Sequence, residues 1–297
     1  MKLNNASVLA LCSVVFLLFF AGIFRDDVPQ RKYFKLVKQK QFDCIGKVYD
    51  STSFRGSCIF IGSKYVLTAA HVFIEASFKP DTVKMMGQTA VLNKPYNVHI
   101  GDINNMYFEF NGIKYKGKKL TVPQEFKDSI MKGLCDIALV ELEEPVSKVV
   151  PALLNGSFDE LHSDVVGVGF GEIGKAAQPQ SLHQCDKRSG GENVIDSIMG
   201  VKYSGEETLL ACDFDHPYIK ECNKMGSSVP RPLEYICSGG DSGGGLFRLN
   251  KDKWELVGIC SSYRIDIQQM MKTGYFGQVM QWTRVSAFSK WIADNEK

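Results

Sequence analysis

"YICSGGDSGGGLF", residues 235–247, sets Ser242 directly after Asp241 and places five glycines, Gly239, Gly240, Gly243, Gly244 and Gly245, within seven positions. Each glycine loses more conformational freedom on folding than another residue would, so the stretch penalises regular helix and strand. It reads as a loop shaped for a task. A phosphate cradle would need Gly-Lys followed by Ser or Thr at its end, and the nearest basic residue, Arg248, lies beyond Leu246 and Phe247. A flexible linker would carry on polar, whereas that apolar pair follows at once. What remains is a turn that presents Ser242 as a nucleophile beside inward-pointing backbone N–H groups.

A serine hydroxyl is a poor nucleophile at neutral pH and requires a base within hydrogen-bond reach, itself oriented by a third group. The chain has five histidines, His71, His99, His162, His183 and His216, and all precede Ser242. That order excludes the G-x-S-x-G nucleophile elbow of α/β-hydrolases, in which serine, acid and histidine follow one another along the chain. His71 stands in "YVLTAAHV" (65–72), where an apolar strand-like run ends in small residues that leave an imidazole room for a partner. "CDIALVEL" (135–142) offers Asp136 at the head of an apolar run. A carboxylate buried there is costly unless paired, and an imidazole N–H is a suitable partner.

"TAAHV", "DIALV" and "GDSGGGL", in the order His71, Asp136, Ser242, together resemble the chymotrypsin/trypsin-like serine proteases. "VHIGDIN" (98–104) resembles the strand and turn after the histidine loop, and "VVGVGFGE" (165–172) the strand that opens the second barrel. "WELVGICSS" (254–262) resembles the strand lining the substrate cleft, and "TRVSAFSKWI" (283–292) the closing helix. The resemblance implies an all-β fold of two antiparallel six-stranded Greek-key barrels, with the three residues in the cleft between them and a C-terminal helix. The interval from His71 to Asp136 is long for the family, which reads as a surface insertion at the Gly- and Lys-rich "FNGIKYKGKKL" (110–120). The residue directly after His71 is Val72 and not a cysteine, so the usual histidine-loop disulfide cannot form.

If the resemblance holds, His71 is the base, Asp136 orients it, and the backbone N–H groups of Gly240 and Ser242 form the oxyanion hole. Substrate-pocket candidates are Tyr235 and Ile236 before the nucleophile, and Ser261 and Tyr263 on the cleft strand; neither Tyr235 nor Ile236 can pair with a cation, so no preference for basic residues is expected. The reading is a serine endopeptidase acting on protein or peptide substrates without metal or cofactor. The alternatives are a non-catalytic binding protein on the same fold and a small-ester hydrolase. Many family members are activated by a cut before a small apolar residue whose new amino group pairs with the aspartate beside the nucleophile. "RKYFKLVKQKQFDCIGKVYD" (31–50) contains no Ile-Val-Gly-Gly-like start, so Asp241 is expected to find an internal partner.

The apolar run "VLALCSVVFLLFFAGIF" (8–24) fits a signal peptide or an uncleaved anchor, which implies a secreted or periplasmic location, or attachment to a membrane through residues 8–24. The division expected is a leader over 1–24, a basic linker or arm over 25–43, a double barrel over 44–284 and a helix of the same unit over 285–297. Besides Cys12 in the leader, eight cysteines remain, an even count that suggests disulfides in an exported chain; Cys212 with Cys222 would close a small loop, and Cys237 would brace the substrate pocket. No C-x-x-C pair occurs, which argues against zinc. A net charge of +2, with 44% hydrophobic and 23% charged residues, argues against a nucleic-acid binder. Val285, Phe288, Trp291 and Ile292 fall at helical spacing and predict a terminal helix with one apolar stripe.

Overall fold

The computed structural model describes residues 21–85, 88–130, 132–176, 178–264 and 274–296. Strand β1 (Ala21–Phe24) and helix α1 (Gln30–Val37) lead into β2 (Ile45–Tyr49), β3 (Phe54–Gly62), β4 (Tyr65–Thr68), a long hairpin of β5 (Ile74–Met85) and β6 (Gln88–Ile100), then β7 (Tyr107–Phe110) and β8 (Ile113–Thr121). A short helix, α2 (Gln124–Asp128), precedes β9 (Ala138–Leu142) and β10 (Leu153–Leu154). The second half carries β11 (Asp164–Gly169), β12 (Glu172–Lys175), β13 (Gln178–His183), β14 (Ser189–Val194), β15 (Ser197–Tyr203) and β16 (Glu206–Asp213). It continues with β17 (Tyr235–Ile236), β18 (Gly245–Asn250), β19 (Lys253–Arg264) and β20 (Val279–Arg284), and closes in helix α3 (Ser289–Asn295).

In the first half, β2, β3, β4, β9, β8 and β7 close into a six-stranded barrel. Its strands alternate as a one-sided sheet should: along β7, Phe108 and Phe110 are buried while Tyr107 and Glu109 are half-buried. β9, in the middle of the wall, is buried at four of five positions. In the second half, β14, β11, β18, β19, β20, β16 and β15 form one sheet, with β10 pairing on β19. Backbone pairing does not close this sheet into a second barrel among the described residues. A side chain spans the seam instead: Asn193 on β14 donates to the carbonyls of Asp213 on β16, at 2.9 Å, and Tyr235, at 3.1 Å. Phe42 joins the two halves by packing edge-on against Phe247 and Trp254, with ring centroids 5.3 Å away in each case.

Three segments depart from the sequence reading. Ala21–Phe24, assigned above to the leader, is a strand inside the fold: β1 pairs parallel with β12 and antiparallel with β17, and Ile23 and Phe24 are buried. Residues 8–20 of the apolar run, and Cys12 with them, lie outside the described residues. The segment taken as a linker or arm is ordered over Gln30–Val37, because Tyr33 and Val37 at i and i+4 give α1 a buried stripe that sequence inspection had read as aperiodic. The stretch 110–120, read as an inserted surface hairpin, supplies barrel strands β7 and β8, and the long excursion between His71 and Asp136 is the β5–β6 hairpin over residues 74–100. The terminal helix follows its stripe in large part: Val285, Phe288 and Ile292 are buried and Trp291 is half-buried, the first turn Val285–Phe288 being a tighter 3-10 turn.

Candidate active site

The two halves meet at three side chains drawn from distant parts of the chain. His71 lies in the single turn Ala70–Phe73 at the end of β4, Asp136 immediately precedes the buried β9, and Ser242 occupies the glycine-rich turn between β17 and β18. His71 Nδ1 is 2.7 Å from Asp136 Oδ2, and His71 Nε2 is 2.8 Å from Ser242 Oγ. The imidazole therefore bridges acid and hydroxyl through both ring nitrogens.

Asp136 is almost wholly buried and fully engaged. Its Oδ1 accepts the His71 backbone N–H at 2.9 Å, its Oδ2 accepts the Ser261 hydroxyl at 2.6 Å, and its carbonyl accepts Thr283 Oγ1 at 2.7 Å. Burial alone would raise this carboxyl, but the neighbouring His71 and the hydrogen bonds from His71 and Ser261 outweigh it and hold the group below the usual carboxylate range. Cys135, just before it, adopts a left-handed backbone (φ 54°), which costs a non-glycine residue about 1–3 kcal/mol and persists only where surrounding contacts impose it.

The turn around Ser242 depends on glycine at two positions. Gly240 has φ +89°, and a Cβ there would stand 2.7 Å from the Phe54 ring. Gly243 has φ +82°, and a Cβ there would collide with Thr68 Oγ1 and the Ser57 carbonyl. The surrounding peptides are pinned: Asp241 N–H donates to Ser238 O at 3.0 Å, Gly243 N–H to Cys260 O at 2.8 Å, and Gly244 N–H to Asp241 O at 2.6 Å. The N–H groups of Gly240 and Ser242 donate to no protein acceptor among the described residues. Asp241 turns inward, accepting Gly171 N–H at 2.8 Å on Oδ1, and the Tyr235 hydroxyl at 2.5 Å and Ser238 N–H at 2.9 Å on Oδ2. Burial pushes its carboxyl up to about 6, while the bonds from Tyr235, Gly171 and Ser238 pull it back towards ionisation.

The trypsin family model matches residues 35–292. The chain belongs to the trypsin family. It is a serine-protease-type hydrolase domain, and its mostly β architecture, with one closed six-stranded barrel and a short C-terminal helix, agrees with the chymotrypsin-like fold. No curated protein matches the chain. Trypsin-family domains are typical of secreted or extracellular proteins and act on proteins or peptides. Among the described residues no helix is long and apolar enough to cross a membrane.

Within this family frame, the pocket candidates divide. Tyr235 and Ile236 are 3% and 1% exposed, covered by β1 and α1: Ile23 pairs with Ile236 and Phe24 with Tyr235, and the Phe24 and Tyr235 rings lie 5.9 Å apart. They are core residues, and Tyr235 serves Asp241. Ser261 is also buried, with its hydroxyl committed to Asp136. Tyr263 is half-buried on β19, opposite Met280 of β20. The eight described cysteines are free thiols. The expected Cys212–Cys222 bridge is absent because Cys212 on β16 points into the second core while Cys222 sits in a half-buried surface turn. Cys237, expected to brace the pocket, is buried and its side chain meets that of Cys260 on β19. Sequence inspection missed Ser57 and Thr283, whose bonds cross between the halves of the fold, and Gly171, which reaches Asp241 within the second half from 70 residues away; none leaves a local signal.

Proposed function

We propose that the protein is a serine endopeptidase in which Ser242 attacks the scissile carbonyl, His71 is the general base and Asp136 orients it. The observation that carries this reading is the His71 ring held at 2.7 Å from Asp136 and 2.8 Å from Ser242. With its Nδ1–H donated to the ionised Asp136, the imidazole exposes a lone pair on Nε2 towards the serine hydroxyl. His71 takes the proton as the Ser242 Oγ–carbon bond forms, and the N–H groups of Gly240 and Ser242 receive the oxyanion. His71 then gives the proton to the departing amine as the carbon–nitrogen bond breaks, leaving an acyl-serine that water hydrolyses by the same steps.

Asp241 takes an internal partner, the Tyr235 hydroxyl, so the nucleophile turn is organised without a newly cut amino terminus. Selectivity for basic side chains is not expected, since Tyr263, half-buried on the cleft strand, narrows the entrance. The protein reaches a secreted or periplasmic location through residues 8–24, and because Ile23 and Phe24 are buried, the exported chain begins at or before Ile23.

Turnover of a peptide library by the purified protein, with Ser242→Ala as control, tests this function. Peptide cleavage abolished by the substitution supports it; cleavage of small esters alone would assign an esterase, and tight peptide binding without turnover a binding protein.

A further inference from the structure

Ser57 sits on β3 of the first barrel, with no exposed surface, and touches the nucleophile turn of the second half at two points. Its backbone N–H donates to Ser242 O at 2.8 Å, and its hydroxyl donates to Gly240 O at 2.8 Å. The same hydroxyl oxygen accepts Phe170 N–H at 2.9 Å. A hydroxyl has one proton, and Gly240 O is the acceptor within reach, so the bond to Gly240 has a fixed direction.

The peptide that ends in Gly240 O links the two N–H groups proposed for the oxyanion hole. A trans peptide is planar, with its N–H opposed to its C=O, so anchoring carbonyls sets where the N–H groups point. On one side of Gly240, Gly239 O accepts Glu172 N–H at 2.9 Å, which turns the Gly240 N–H away from it. On the other, Ser57 holds Gly240 O, which turns Asp241 N–H to its own acceptor, Ser238 O. Gly240 is the flexible joint between these two planes, in a left-handed conformation that other residues rarely adopt. Without the Ser57 hydroxyl, Gly240 O would be left buried beside no donor, and rotation of this peptide towards another partner would misdirect the donors on either side.

We infer that Ser57 is a positioning residue for the reaction, its hydroxyl anchoring the Gly240 carbonyl from the opposite barrel so that the Gly240 and Ser242 N–H groups converge on one point. The inference rests on the proposed role of Ser242. It predicts an effect on transition-state stabilisation that exceeds the effect on folding.

The test measures the second-order rate at which a fluorophosphonate phosphonylates Ser242 in the full chain, since the phosphoryl oxygen occupies the place of the oxyanion. Ser57→Ala should slow it about 10-fold or more, part of the about 10²–10³ that removing one donor outright costs. Ser57→Cys, which keeps a weaker donor and covers the case in which the alanine variant does not fold, should fall between alanine and wild type. Thr208→Val is the control: it removes a 2.9 Å bond from an equally buried hydroxyl to a backbone carbonyl, that of Val201, on strands that carry none of the three site residues. It should lower the denaturation midpoint and leave the rate within about 2-fold. Equal rates for Ser57→Ala and wild type, equal losses for Ser57→Ala and Thr208→Val, or a cysteine variant no faster than alanine would overturn the inference. A wild-type protein that is folded but unlabelled would overturn the proposed role of Ser242 instead, and this inference with it.

Discussion

Tyr235 donates its hydroxyl to Asp241 across 2.5 Å, and both residues are almost wholly buried. Asp241 directly precedes the nucleophile, so this bond ties the orientation of the Ser242 turn to β17 and, through the Phe24–Tyr235 packing, to the first described strand. Tyr235→Phe removes a donor that favours ionisation, which moves the Asp241 carboxyl further above about 6. Leaving a buried acceptor short of a partner costs about 1–3 kcal/mol. The variant should lose stability and at least several-fold in kcat, most strongly near neutral pH where Asp241 must carry its charge; unchanged activity at pH 7 would show that the turn does not rely on the phenol.

Asp136→Asn should leave the fold intact and lower kcat by roughly 10⁴, because an amide donates where the imidazole needs an acceptor and selects the wrong tautomer. Ser261→Ala should have a smaller effect, raising the Asp136 carboxyl by removing one of the bonds that favour its charged form. Steady-state kinetics on both variants checks this ordering, which reverses if Ser261 serves chiefly the substrate cleft.

The strand β1 supports a stability prediction. Phe24 is 1% exposed and stacks on Tyr33 with centroids 4.3 Å apart. Phe24→Ala should therefore cost about 3–5 kcal/mol by denaturant titration. A loss below about 1 kcal/mol would mean that β1 is dispensable to the folded domain.

Much of this arrangement was legible in the sequence. His71, Asp136 and Ser242 each sit in a short run whose composition has a local physical cause: small residues beside an imidazole, an apolar run behind a carboxylate, glycines where the backbone must turn sharply. The residues that hold them were not legible, because Ser57, Gly171 and Tyr235 act through pairings across more than one strand, and a serine two places after an arginine carries no mark of the carbonyl it will meet. The pocket assignment of Tyr235 and Ile236 failed for a related reason. The strand and helix that bury them, β1 and α1, come from a segment too close to the apolar leader and too basic to be read as part of the core.

Glu234 offers a pH test. Burial, partly offset by the Arg231 N–H bond and reinforced by Asp215, raises its carboxyl to about 9. A folded-state pKa above the unfolded value near 4.5 means that its contribution to stability is full below about 4.5 and declines as pH rises towards 9. At pH 7 holding the proton costs on the order of 3 kcal/mol. Glu234→Gln should match wild type in stability at pH 4 and gain over it progressively to pH 8; a constant difference across that range would refute the assignment.

Thiol chemistry gives a further check. Burial raises the Cys44 thiol to about 12 and the Cys135 thiol to about 11, and drives Cys58, Cys212 and Cys237 well above the ordinary value. In the native protein, a thiol reagent at pH 8 should modify only the half-buried Cys185 and Cys222 among the described cysteines, with the rest reacting on unfolding. Reductant should leave activity unchanged; loss of activity on reduction would reveal a disulfide.

The central claim is that Ser242 is a nucleophile activated by His71. Its most direct test is covalent labelling of the purified protein, beginning at or before Ile23, with a fluorophosphonate, followed by peptide mass mapping. The account predicts one adduct, on Ser242, lost in Ser242→Ala and strongly reduced in His71→Ala. A folded protein that remains unlabelled, or that labels equally well without His71, would contradict it.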